Sequence, residues 1–192
     1  LKQVRQSGLP CYIFDEKNQT GSNFGEKLAN AFSEVFEKGF DQVIVVGNDT
    51  PNLQCRHIIE ADAKLTHHNQ DIVIGPASDG GTWLMGFSRK AFVPQIFGFL
   101  SWNSKDLLSS IYKTYQKYHS VFLFSELDDV DNYEDLLKFL KIIPGYKSLL
   151  NLRRIILSIL TIRESDFRYP DLFMISNLYH TSLSLRAPPV HV

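Results

Sequence analysis

The sequence predicts an α/β fold on a mostly parallel sheet, and three observations predict it. Two short apolar runs, Val43-Ile44-Val45-Val46 and Ile72-Val73-Ile74, show no polar alternation. Such β-branched runs suit strands covered on both faces, as in a parallel sheet. Between them, Pro51 to Leu65 places Leu53, Ile58, Ala61 and Leu65 at helical spacing. Strand, helix and strand with short links is a β-α-β unit, whose crossover is right-handed. Finally, each run stops abruptly: Gly47-Asn48-Asp49-Thr50-Pro51 follows the first and Gly75-Pro76-Ala77-Ser78-Asp79-Gly80-Gly81 the second. Open α/β sheets bind ligands at the carboxyl ends of their strands. Asp49 and Asp79 are therefore expected on neighbouring strand ends, facing one crevice.

The remaining elements follow in order. Leu1 to Ser7 reads as the end of a helix closed by Gly8, and Pro10 to Phe14 as a strand. A helix in such a sheet normally follows a strand, so residues upstream of Leu1 are expected. After a polar loop, Phe24 to Lys38 is amphipathic, with Phe24, Leu28, Ala31, Phe32, Val35 and Phe36 on one face, and Gly39 ends it. Pro51 can begin the next helix. Thr82 to Phe87 reads as a strand antiparallel to its neighbour after the Gly80-Gly81 turn. Lys90 to Phe99 is a short helix and loop, and Asp106 to Tyr118 a helix with Ser104 as N-cap. Ser120 to Phe124 is a strand, and Tyr133 to Leu140 a helix with Glu134 and Asp135 at its N-terminus. Beyond Pro144-Gly145 the α/β alternation stops. Helices over 149–160 and 169–183 and an extended tail make up the C-terminal stretch, which is too short for a core of its own.

Composition narrows the class. Apolar residues are 44%, charged residues 21% and net charge is -1, an ordinary globular balance. No basic block suggests a nucleic-acid partner, and no segment approaches the roughly 18 apolar residues of a membrane span. Cys11 and Cys55 lie far apart with no metal-ligand spacing, which fits free thiols in a reduced, cytoplasmic compartment.

Acidic residues at strand ends are the candidates for chemistry. Asp49 can hold Mg2+ or Mn2+, hard ions that take oxygen ligands and bridge to phosphate; it can equally cap a helix or form an Asx turn. Asp79-Gly80-Gly81 is also an ordinary turn signal. Asp129 and Asp131, two apart on an extended loop, point to the same side and can complete a metal site begun by Asp49. Gly21 and its polar neighbours, ahead of the Phe24 helix, offer an anion site at a helix N-terminus. Trp102 can stack on a base or sugar, or pack in the core.

As a set, QTGSNFGEKLANAF, VIVVGNDTPNL, VIGPASDGGTWLMG and DVDNYEDLLKF resemble the DUF2064 group of candidate glycosyltransferases. These bacterial proteins are related to nucleotide-diphospho-sugar transferases of the GT-A fold. The resemblance covers about Leu1 to Leu140. It implies a three-layer α/β/α sandwich over residues 1–143 and leaves 144–192 as a helical extension with an extended tail, packed on the domain or on a second subunit of a homodimer. It also implies a nucleotide-activated sugar donor, an acceptor that the motifs do not name, and Mg2+ or Mn2+ on Asp49 and Asp131. Asp79 would orient the acceptor or act as base. Gly47, Asn48 and Thr50, with Gly75, Pro76, Gly80, Gly81 and Trp102, would line the substrate and nucleotide site. Asn48, Thr82-Trp83 and Asn132-Tyr133 depart from the family pattern, and the family's first strand is not among these residues. No acidic residue stands two positions from Asp49, a pattern closer to nucleotidyltransferases of the same fold. Glycosyl transfer, nucleotidyl transfer and a non-catalytic binding module all remain open at this point.

Overall fold

The structure, a computed structural model, describes residues 1–68, 70–102, 104–142, 155–156 and 190–191. The chain forms two compact units, Leu1–Asp129 with Ala187–Val192, and Val130–Arg186. In the first unit the elements are α1 (Lys2–Gln6), β1 (Ile13–Phe14), α2 (Phe24–Glu37), β2 (Gln42–Val46), α3 (Cys55–His67), β3 (Ile72–Pro76), β4 (Thr82–Ser88), α4 (Pro94–Phe99), α5 (Leu107–Tyr115), β5 (Val121–Leu123) and β6 (Val190–His191). The second holds α6 (Tyr133–Ile142), where Phe139 and Leu140 pack with Val130, Leu136 and Ile156. The expected helices over 149–160 and 169–183 lie outside the described residues, apart from 155–156.

The strands form one sheet in the order β1-β6-β2-β4-β3-β5. β4 is antiparallel to both β2 and β3, β6 is antiparallel to β1 and β2, and β3 and β5 are parallel. It follows that β1, β2, β3 and β5 all run one way. The sheet is therefore mixed: four strands share one direction, but β4 and β6 are inserted against the grain, so only β3 and β5 pair in parallel. The insertion corrects one expectation: β2 and β3 are not neighbours, because the hairpin after β3 folds β4 into the space between them.

Both faces are covered. Val43, Val45, Ile72, Ile74, Met85 and Phe87 face a core shared with Leu28 and Phe32 of α2, Phe97 of α4 and Ile111 of α5. Val46, Val73 and Leu84 face the other core, with Val4 of α1 and Ile58, Ala61 and Leu65 of α3. This is the three-layer α/β/α sandwich, and the period-two split of each apolar run between opposite cores explains why the runs lack polar alternation. Phe32 is fully buried and meets Phe87 edge-on with ring centres 5.4 Å apart. Truncating such a side chain to Ala costs about 3–5 kcal/mol.

Two helix starts differ from expectation. α3 begins at Cys55 and not Pro51: the Leu53 N–H donates to Thr50 O at 3.1 Å, closing a turn, and Gln54 N–H donates to His57 Nδ1 at 3.2 Å in place of a helical partner. α5 has Asp106 as its N-cap, while Ser104 Oγ accepts from Asp106 N–H at 3.1 Å.

Candidate functional site

Three strand ends, those of β2, β3 and β5, point the same way and carry the acidic residues. After β2, Gly47 N–H donates to Trp83 O at 3.2 Å, which ties the start of the loop to β4. The Asp49 side chain then folds back over Gly47. A Cβ on Gly47 would stand 2.7 Å from Asp49 Oδ1, so the loop needs glycine here for the close approach. Asn48 is exposed and Asp49 half-buried. Burial pushes the Asp49 carboxyl above the ordinary range, a backbone hydrogen bond partly offsets this, and the nearby Asp79 charge raises it further.

Thr50 is only 5% exposed, and its hydroxyl donates to Asp129 Oδ1. Asp129 reaches that position because pairing with β3 continues past β5. Phe124 N–H donates to Ile74 O at 2.8 Å, Leu127 N–H to Pro76 O at 3.1 Å, and Ser78 N–H to Leu127 O at 3.1 Å.

The turn after β3 is of a different kind. Gly81 N–H donates to Asp79 Oδ1 at 2.8 Å, and Ala77 N–H to Gly81 O at 3.0 Å. Asp79 itself is exposed. Gly80 has φ +95, and a Cβ there would lie 2.6 Å from Lys105 O. Glycine is thus required both by the backbone conformation and by the loop ahead of α5.

Behind these loops, β3 and β4 slip register. Gly75 pairs with Leu84 and Pro76 with Thr82, leaving Trp83 as the extra residue of a β-bulge. The bulge turns the Trp83 ring onto the α3 side, over Gly75, where a Cβ would meet Cε2 at 2.3 Å. Trp83 is 1% exposed, sits 5.6 Å from the Phe124 ring and 5.4 Å from that of His57, and its indole N–H has no partner among the described residues. Burial lowers the His57 pKa. The signal for this bulge is a glycine inside a strand run.

The other predicted residues are placed as follows. Trp102 donates its indole N–H to Phe97 O at 2.8 Å, stacks on Phe97 with centres 5.7 Å apart and meets Phe24 edge-on at 5.2 Å. Its Nε1 is 2.3 Å from where a Cβ on Gly25 would be, so the indole N–H and much of the ring are spent on packing α2 against α4. Asp131 is exposed and belongs to the second unit. At the Gly21 loop, Asn23 Oδ1 accepts from Glu26 N–H at 2.9 Å and Glu26 Oε2 accepts from Ser22 N–H at 2.7 Å. Hydrogen bonds to the carboxyl, that from Ser22 N–H most, hold Glu26 below its ordinary range. The Ser22 and Glu26 N–H bonds also occupy two of the N–H groups an anion would use. Among the described residues, no group of three or more His, Cys, Asp or Glu side chains is placed to hold a metal ion, and no helix is long and apolar enough to cross a membrane.

Residues 12–104 match the family described as "uncharacterized protein conserved in bacteria (DUF2064)". This span includes Asp49, Asp79 and Trp102 and stops short of Asp129. The chain is also similar to a crystal structure of a candidate nucleotide-diphospho-sugar transferase from Desulfovibrio desulfuricans G20, with 30% identity and a TM-score of 0.62 over 68% of this chain and 56% of that one. The chain thus spans just over half the length of that neighbour. No curated protein matches.

Proposed function

We propose, since residues 12–104 match the DUF2064 family, that the chain transfers a glycosyl group from a nucleotide-diphospho-sugar donor to an acceptor with the help of Mg2+ or Mn2+. The observation that carries the proposal is Asp49. It is a half-buried carboxylate at the carboxyl end of a sheet strand, folded over a glycine and in the field of a second carboxylate, so its charge is disfavoured without a cation. A hard divalent ion fits that donor. Fewer than three protein ligands are grouped among the described residues, so phosphate oxygens of the donor would share the ion, as they commonly do for Mg2+. An ion held there would supply positive charge to offset that of a departing diphosphate.

In this reading Asp49 is the ligand that the first unit supplies. Gly47 lets the loop after β2 close over Asp49 and Gly75 leaves room for the Trp83 ring behind it, while Asp79, exposed at the mouth of the crevice, orients the acceptor hydroxyl or removes its proton. Gly80, Gly81, Pro76, Asn48 and Thr50 shape the loops around them, and Trp102 forms the wall beside α4. One feature favours nucleotidyl transfer as a second reading: Asp49 has Asn48, Thr50 and Pro51 beside it and no second acid.

Calorimetry with nucleotide sugars and nucleoside triphosphates, with and without Mn2+, tests both. Mn2+-dependent binding of a nucleotide sugar, lost in Asp49→Asn with the fold intact, is the expected result. Release of pyrophosphate from a triphosphate would select the second reading. Absence of metal-dependent binding to every member of the panel would reject both.

A further inference from the structure

We propose that Thr50 is a positioning residue: its hydroxyl clasps Asp129 and so sets the spacing of the two acidic loops between which the cation and diphosphate bind. The inference rests on the function proposed above. The Thr50 side chain is buried at 5% exposure, which leaves little of it for a ligand, and its hydroxyl donates to Asp129 Oδ1 across 79 positions of sequence. A hydrogen bond to a carboxylate is stronger than one between neutral groups and holds the acceptor in one orientation.

The clasp joins loops that the sheet keeps apart. β4 and β3 lie between β2 and β5, so Thr50 and Asp129 meet across the mouth of the Asp79 hairpin. The Asp129 side is already anchored by the Leu127 and Ser78 backbone bonds to the end of β3. The Thr50 side is anchored by the Leu53 N–H bond to Thr50 O. With both loops anchored nearby, the hydroxyl adds a bond that restrains the rotation of the Asp129 side chain. Asp49 is the residue before Thr50, on the loop that this bond ties to Asp129. Valine matches threonine in shape and cannot donate; serine donates and lacks the methyl group.

The test has two arms. In the first, thermal midpoints of wild type, Thr50→Val, Asp129→Ala and the double variant are measured without metal. The expected result is that the double variant is no less stable than the weaker single one, since each change removes the same bond. Additive losses would overturn the clasp. In the second arm, Mn2+ uptake in the presence of inorganic pyrophosphate is followed by electron paramagnetic resonance. Thr50→Val is expected to bind about tenfold more weakly and Thr50→Ser within about twofold of wild type, the range typical of residues that orient a metal's ligands. Wild-type affinity in Thr50→Val would show the hydroxyl to be only structural and overturn the positioning role. Failure of the wild type itself to take up Mn2+ would reject the functional reading and the positioning role with it, while non-additivity in the first arm would still stand.

Discussion

The turn after β2 and the turn after β3 look alike in sequence, each a glycine-bearing strand end with one aspartate, yet they hold that aspartate in opposite ways. Asp49 is half-buried, its charge opposed by burial and by Asp79. Asp79 is exposed and accepts from its own turn through Gly81 N–H at 2.8 Å. The glycines differ too. Gly47 makes room for a carboxylate, whereas Gly80 makes room for the Lys105 backbone. Similar local patterns therefore leave their carboxylates in different environments: on the proposed function the half-buried Asp49 meets the cation and the exposed Asp79 the acceptor.

The sharpest way to break this contrast is to neutralise each aspartate. On the proposed function, Asp49→Asn lowers Mn2+-dependent transfer by at least about 100-fold, beyond the 10- to 100-fold typical of groups that only orient a metal's ligands. Asp79→Asn keeps the turn, since an amide oxygen still accepts from Gly81, and its loss appears in acceptor use rather than in Mn2+ binding. Donor titrations in both variants decide the matter. Equal loss of Mn2+ affinity in the two would erase the distinction.

The glycines give the next largest effect. Gly80→Ala must adopt a left-handed backbone and push into Lys105, which together cost about 2–4 kcal/mol. Thermal denaturation should show a drop of roughly 5–15 °C for a domain of this size. Gly47→Ala meets only the far end of the Asp49 side chain, which can swing away. Its midpoint should change little while its Mn2+ affinity falls. The reverse pattern would mean that the two turns have been assigned the wrong way round.

How much of this was legible in advance depends on range. The β-branched runs, the amphipathic α2 and the glycine-aspartate strand ends are local patterns, and they led to the α/β class and to Asp49 and Asp79. The place of β4 was not local. Asp79-Gly80 announces a hairpin, but nothing in the turn says on which side of β3 the returning strand lies. Pro51 is a good first helical residue by type, yet the Thr50–Leu53 turn holds it outside α3. Trp102 could not be sorted into packing or stacking without knowing that Phe97 O would take its N–H. The Thr50–Asp129 bond spans 79 positions, a separation at which no spacing rule operates.

The smallest effect is on stability, and it separates the two aspartates without any ligand. Burial raises the folded-state pKa of Asp49 above its unfolded value. The neutral carboxyl is therefore the form that the fold favours. Its favourable contribution is complete below the unfolded pKa and is lost as pH rises through the folded one. The amide that Asp49→Asn puts in place of the carboxylate carries no charge at any pH. Asp49→Asn should thus match wild type in acid and become the more stable of the two as pH rises towards neutrality. Asp79→Asn removes only the like charge that adds to the Asp49 shift and should show a smaller divergence of the same sign. Melting curves from pH 3 to pH 8 in metal-free buffer measure this directly. Adding Mn2+ should shrink the advantage of Asp49→Asn, because on the proposed function only the wild type gains the ion. An aspartate that weakens the empty fold and strengthens the loaded one is what a site at this strand end, unlike a turn, is expected to contain.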